Sequence, residues 1–218
     1  MEIYNLSKQN SVLNQFVAEI RDITIHNDPI RFRRNIERIG EIMAYEVSKS
    51  LQYESKEIQT PLAKTTSDFI KDEVILSTVL RAGLPFHQGF LQIFDRAGSA
   101  FVSAYRKYKE NHTSFDIHVE YLSSPSLEGK TLVLVDPMLA TGSSLEMAYK
   151  ALLSKGEPAK VYIAAIISSK AGINAIKKAF PADKTTVWTA AIDPDLNEHA
   201  YIVPGLGDAG DLAYGTKL

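Results

Sequence analysis

A chain of 218 residues with 45% hydrophobic and 23% charged side chains has the size and composition of one globular domain with a substantial core. Its 24 basic and 26 acidic residues leave a formal charge of -2, which excludes a general attraction to nucleic acid and confines any anion site to a local cluster. Cysteine is absent, which excludes disulfides, thiol nucleophiles and thiolate zinc sites and fits a reducing compartment. An acid and polar residues in Met1–Lys8 do not make a signal peptide, and no apolar run approaches the roughly 20 residues of a membrane span. The expectation is a cytoplasmic protein without membrane or nucleic-acid partners.

Residues 1–30 read as an N-terminal arm. From Arg31 to Leu51, apolar residues at Ile36, Ile39, Ile42, Met43 and Tyr45 recur near the 3.6-residue period of a helix. Asn27, Asp28 and Pro29 offer its start signal. Val74–Leu80 is a short apolar, β-branched run closed by Gly83 and Pro85, the pattern of a strand buried on both faces. Ala100–Tyr105 adds another. The polar stretch 107–126 interrupts the alternation and reads as a two-stranded flap. Lys130–Asp136, Val161–Ser168 and Thr185–Ile192 are further buried strands, with helical stretches Ser144–Leu153 and Ala171–Ala179 between them. Strands alternating with helices predict one α/β domain with a mostly parallel sheet covered on both faces.

The most informative segment is Val133-Leu-Val-Asp-Pro-Met-Leu-Ala-Thr-Gly-Ser-Ser144. A strand ends in a carboxylate, and small and hydroxylated residues lead into a helix, at the strand ends where open α/β sheets bind ligands. Ala140, Thr141, Gly142, Ser143 and Ser144 would offer backbone N–H groups at a helix N-terminus, which suits a phosphate monoester. Asp136 would repel phosphate but can accept hydrogen bonds from sugar hydroxyls beside it. These features describe either a ribose 5-phosphate site or an ordinary strand–turn–helix connection with capping serines. No Walker lysine follows the glycine, and no Gly-x-Gly-x-x-Gly follows the first strand.

Asp136–Ser144 resembles the signature that binds phosphoribosyl pyrophosphate (PRPP) in phosphoribosyltransferases, in the form used by the uracil phosphoribosyltransferase family. Pro137 stands where most of the wider superfamily has a second acid, as in the uracil branch. Leu80-Arg-Ala-Gly-Leu84, Tyr105-Arg106, and Asn197–Asp211 with Tyr214–Lys217 resemble further motifs of the same family. The resemblance implies a type I phosphoribosyltransferase fold with a flap and a C-terminal hood, residues 197–217, that binds the base. It implies PRPP contacts from Arg81, Arg106, Asp136, Pro137, Met138, Leu139, Ala140, Thr141, Gly142, Ser143, Ser144 and Asp208. Uracil would meet Ile202, Gly207, Asp208 and Ala209, and catalysis would rest on Arg81, Arg106 and Asp208. Guanidinium forks suit pyrophosphate oxygens. Mg²⁺ would be held mainly through PRPP and water. A homodimer or higher homo-oligomer is implied, and a nucleotide effector such as GTP is left open, as are another nucleobase or a nucleotide-sensing regulator on the same fold.

Two departures from the family pattern bear on the loops. Ser143 replaces a glycine in the phosphate cradle. Ala200 replaces the glycine usual after His199, and the loop would be strained there if that position needs positive φ. His26, His87, His112, His118 and His199 lack metal-ligand spacing and read as surface or structural groups. Trp188 reads as core, and Arg31, Arg33 and Arg34 as a solvated helix start.

Overall fold

The computed structural model describes residues 1–108 and 115–216, with side chains described except at 104–108 and 115–119. Strand β1 (Glu2–Asn5) is followed by helices α1 (Val12–Arg21) and α2 (Pro29–Ser48). Ser11 and Asn14 form a capping box at the start of α1. Asp28 accepts the N–H groups of Ile30 and Arg31, and Pro29 occupies the first turn of α2, where its missing N–H is harmless. A hairpin, β2 (Tyr53–Gln59) and β3 (Lys64–Ile70), comes next. There follow β4 (Val74–Val79), α3 (Leu84–Ile93), β5 (Gly98–Tyr108) and β6 (Phe115–Ser123). Then come β7 (Thr131–Val135), β8 (Met138–Leu139), α4 (Ser143–Leu152), β9 (Lys160–Ser169), α5 (Lys170–Ala179) and β10 (Thr185–Asp193). The chain ends in β11 (Asp195–Leu196), β12 (Ile202–Val203) and α6 (Ala209–Tyr214).

The central sheet runs β1-β10-β9-β7-β4-β5-β6, with β8 paired to β9. Every pairing is parallel except β5 with β6. Side chains alternate across the strands, so β7 sends Val133 and Val135 into one core and Leu132 and Leu134 into another. The first core packs α1, α2, α3 and the C-terminal segment against the sheet, including the fully buried Phe32, Ile39, Phe86 and Phe90. The second packs α4 and α5 on the opposite face through Leu145, Leu152, Ile173 and Ile176. A sheet covered on both faces is the single α/β domain expected.

Several elements differ from the sequence reading. The arm expected over residues 1–30 supplies an edge strand, β1 parallel to β10, and the core residues Leu13, Val17 and Ile20 of α1. The stretch expected as a flap contains β6, which pairs antiparallel with β5; residues 109–114, with His112, lie outside the described residues, as does Lys217. Trp188 is buried and stacks on Tyr4 with ring centroids 4.2 Å apart. The arginine cluster is dispersed rather than merely solvated. Arg31 pairs with Glu19, Arg34 with Glu37, and Arg33 donates to the Ala213 carbonyl at 2.6 Å.

Candidate active site

Strands β4 and β7 are neighbours at the middle of the sheet. From β4 the chain crosses toward β5, and from β7 it crosses the other way toward β9. Connections that diverge in this way leave a crevice at the carboxyl ends of the strands. A cavity of about 380 Å³ opens there, lined by Leu80, Arg81, Asp136, Met138, Ala140, Ser144, Tyr201, Ile202, Gly207, Asp208, Ala209 and neighbours. Its walls come from segments more than 100 residues apart in the chain.

Asp136 directly follows β7 and is 8% exposed. Burial pushes its carboxyl up to about 7, against the small opposing effect of the Met138 N–H, which donates to Oδ1 at 3.2 Å. The next residues are not simply a loop: Met138 and Leu139 pair with Ile167 and Ser168 of β9. The Pro137 carbonyl accepts N–H groups from Ile166 and Ile167. Pro137 and Leu139 are consequently buried, while Met138 and Ala140 face the cavity. Ser169 Oγ donates to the Ala140 carbonyl and accepts from the Gly172 N–H, tying the turn to the start of α5.

Thr141 to Ser144 make the turn into α4. Gly142 has φ +80 at the N-cap position, and an added Cβ would lie 3.1 Å from Ala175 Cβ. Left-handed backbone and close approach both call for glycine there. Thr141 Oγ1 donates to Ser143 Oγ at 2.9 Å and accepts the Ser143 N–H at 3.4 Å. Ser144 is exposed and lines the cavity. The N-terminus of this ten-residue helix, with Ser144 on the cavity wall, brings its partial positive charge to the crevice.

Arg81 follows β4 and is exposed. Its Nη2 lies 3.1 Å from Asp211 Oδ1, and both terminal nitrogens are 3.4 Å from the Gly215 carbonyl. Arg106 lies on β5 opposite Ile117 of β6, and its side chain is outside the description. Asp208 caps α6, accepting the Asp211 N–H at Oδ1 (2.9 Å), while Oδ2 accepts the Tyr201 hydroxyl at 3.4 Å. Ile202, Gly207 and Ala209 complete this wall. Ala200 has φ +63, the one non-glycine residue with positive φ among those described. It closes the turn between β11 and β12, whose amides at His199 and Tyr201 donate to Asn197 Oδ1. The His199 ring is exposed beside Glu198.

Of the residues implied by the resemblance, the cavity gathers Arg81, Asp136, Met138, Ala140, Ser144, Ile202, Gly207, Asp208 and Ala209. Pro137, Leu139, Thr141, Gly142 and Ser143 support or adjoin it without lining it. Sequence reasoning missed Tyr201 and Asp211, the partners of Asp208 and Arg81. Both sit inside the glycine-rich C-terminal island, where Tyr201 is the one aromatic of Asn197–Asp211 and Asp211 one of its three acids, which gave only a weak signal.

A mostly parallel sheet covered by helices on both faces is the fold of type I phosphoribosyltransferases. An orotate phosphoribosyltransferase of Mycobacterium tuberculosis H37Rv, solved with PRPP, shares the fold at TM-score 0.52 and 10% identity, covering 87% of this chain and 95% of its own. The AQ2163 protein of Aquifex aeolicus superposes at TM-score 0.84 with 30% identity, covering 99% of each chain. Residues 7–216 match the family model described as uracil phosphoribosyltransferase. A uracil phosphoribosyltransferase of Porphyromonas gingivalis is 57% identical over 218 residues, all of both chains. One of Thermococcus gammatolerans is 37% identical over 94% of this chain and 89% of its own. The chain belongs to the uracil phosphoribosyltransferase family.

Proposed function

We propose that this protein is a pentosyltransferase of pyrimidine salvage that joins uracil to the ribose of PRPP, forming UMP and releasing pyrophosphate. The observation that carries the reading is the convergence of the Arg81 segment, the Asp136–Ser144 segment and the C-terminal segment on one cavity. Each brings the chemistry one part of the reaction needs.

The amides of Thr141 to Ser144 and the α4 N-terminus receive the 5′-phosphate. Asp136 accepts hydrogen bonds from the ribose hydroxyls, which favours its ionised form and offsets the burial that lifts its carboxyl to about 7. Arg81 turns from Asp211 and Gly215 to the pyrophosphate, and Arg106 joins it from β5. Uracil lies against Ile202, Gly207 and Ala209, with main-chain groups meeting its two carbonyls and its N3–H. Its N1 forms a bond to ribose C1 as the bond from C1 to the pyrophosphate oxygen breaks, and the N1 proton leaves to solvent or to Asp208. Asp208, oriented by Tyr201, steers that nitrogen. Holding the reactants in line can supply on the order of 7–11 kcal/mol of the barrier reduction, and the guanidinium groups stabilise the departing negative charge.

Magnesium fits this cavity as a companion of PRPP. Among the described residues, Asp136 and Asp208 are its only lining carboxylates, and no three histidine or acidic side chains are grouped to hold a metal. Mg²⁺ commonly keeps several waters and takes substrate phosphates with one or two carboxylates, so PRPP and water supply most of its shell. When bound, it would neutralise charge on the pyrophosphate.

The same proposal places the enzyme in the cytoplasm as a homo-oligomer, most simply a dimer. No helix among the described residues is long and apolar enough to cross a membrane. The β2–β3 hairpin leaves Leu62 97% exposed, and Tyr53, Phe69 and Ile70 are also exposed, a pattern suited to a contact with another subunit. A nucleotide effector such as GTP would be tested by adding it to the same assay.

The test is release of pyrophosphate from PRPP and Mg²⁺ with uracil, orotate, hypoxanthine or xanthine. Release with uracil alone supports the reading. Release with another base assigns a different substrate, and binding of PRPP without release under any base makes the protein a sensor.

A further inference from the structure

Gly205 stands in the hood between Ile202 and Gly207, with φ +57, where an added Cβ would come within 2.1 Å of the Ile202 carbonyl oxygen. Both of its peptide groups are held by one ion pair outside the hood. Asp193, the last residue of β10, is 6% exposed and accepts the Gly205 N–H at Oδ2, 2.8 Å away. Arg21, the last residue of α1, grips that carboxylate with two parallel hydrogen bonds, Nη1 to Oδ2 at 2.8 Å and Nη2 to Oδ1 at 2.9 Å. Arg21 Nη1 also donates to the Gly205 carbonyl at 3.1 Å. Burial works against ionisation of Asp193, but the Arg21 and Gly205 hydrogen bonds and the Arg21 charge outweigh it and hold the carboxyl below its ordinary value.

Neither Arg21 nor Asp193 lines the cavity. Two-point contact with a planar fork fixes orientation as well as distance, so the pair fixes where Gly205 sits relative to the sheet. Two residues later the chain supplies Gly207, Asp208 and Ala209 to the cavity wall, while Asp136 and the α4 turn hang from other strands. We propose that Arg21 and Asp193 are positioning residues for the base and not for PRPP: they clamp the hood at the depth at which the base meets ribose C1. This rests on the proposed transferase reaction.

The test compares Arg21→Lys and Arg21→Met with the unaltered protein in uracil KM, PRPP KM and kcat, alongside amide hydrogen exchange without substrates. Arg21→Met should raise the uracil KM on the order of tenfold, since small misplacements of a reactant carry penalties of this size or more. The PRPP KM should stay within about twofold, and lysine, which keeps the charge but loses the fork, should fall between. Amides over residues 202–209 should exchange faster, with those over 136–144 unchanged. Equal rises in both KM values, or no change in either, overturn the clamp; so does faster exchange in both segments. If Arg21→Met does not fold, the Arg21→Lys comparison decides. Should the unaltered protein not use uracil, the transferase reading fails, and the exchange pattern still decides whether Arg21 holds the hood.

Discussion

Replacing Asp136 with asparagine is expected to stabilise the substrate-free protein above neutral pH while weakening its grip on PRPP. The carboxyl is 8% exposed, and burial lifts it from the ordinary 3.8 to about 7. In the unfolded chain it loses its proton near 3.8; in the folded one it keeps it until about 7. Between those values the native state binds more protons, so stability falls as pH rises, by at most about 1.4 kcal/mol per pH unit. By pH 8 the loss reaches about 4 kcal/mol, an upper bound because water and side-chain adjustment soften burial. The amide carries no ionisable proton, keeps an oxygen for the Met138 N–H, and is nearly the same size. Urea denaturation from pH 4 to pH 8 checks this. Asp136→Asn should match the unaltered protein near pH 4 and exceed it by up to about 4 kcal/mol at pH 8. PRPP affinity of the unaltered protein should rise through pH 7, and that of the variant should be lower and flat. Parallel stability curves over this range would refute the reasoning.

Ala200→Gly should raise stability by up to about 1 kcal/mol, because left-handed backbone costs an alanine roughly 1–2 kcal/mol and the greater freedom of unfolded glycine returns part of it; a denaturant midpoint that does not move upward removes the strain. Gly142→Ala combines φ +80 with a Cβ 3.1 Å from Ala175 Cβ and should cost upward of about 1 kcal/mol in melting experiments while weakening PRPP binding in titration calorimetry. Asp208→Asn keeps a competent helix cap and should lower kcat far more than PRPP affinity; an unchanged kcat in steady-state assays removes Asp208 from the chemistry.

The buried strands were legible because uninterrupted apolar runs such as Thr131–Val135 have few other folds available to them, and α2 because Asp28-Pro29 marks its start. The β2–β3 hairpin was not. Its strands are largely exposed and polar, held by backbone pairing and contacts such as Lys64 with Glu57 at 2.8 Å, so no hydrophobic period announces them. Helix α3 hid behind Gly83 and Pro85, which read as strand-ending breakers although proline is well placed in a first helical turn. In the site, the turn into α4 was legible from residue type and position, and the place of Arg81 beside the cavity from the family resemblance of its segment. The links from Tyr201 to Asp208 and from Arg81 to Asp211 were not, because they join side chains that only the folded hood brings face to face. Ala200 is the converse: its departure from glycine raised a question of backbone sign, and the structure answers with φ +63.

The sheet order has a consequence for inheritance. In the proposed reaction PRPP is held from β4, β5 and β7, while the part that would meet the base is appended after β10, next to the margin, as the closing stretch of the chain. On that proposal, choice of nucleobase and most handling of the activated sugar are written in separate portions of the gene. A lineage that redrafts the portion beyond Asp193 to accept a different ring leaves the sugar-handling apparatus largely intact only if it keeps the residues there that touch it, Asp208 and the Asp211 and Gly215 contacts of Arg81.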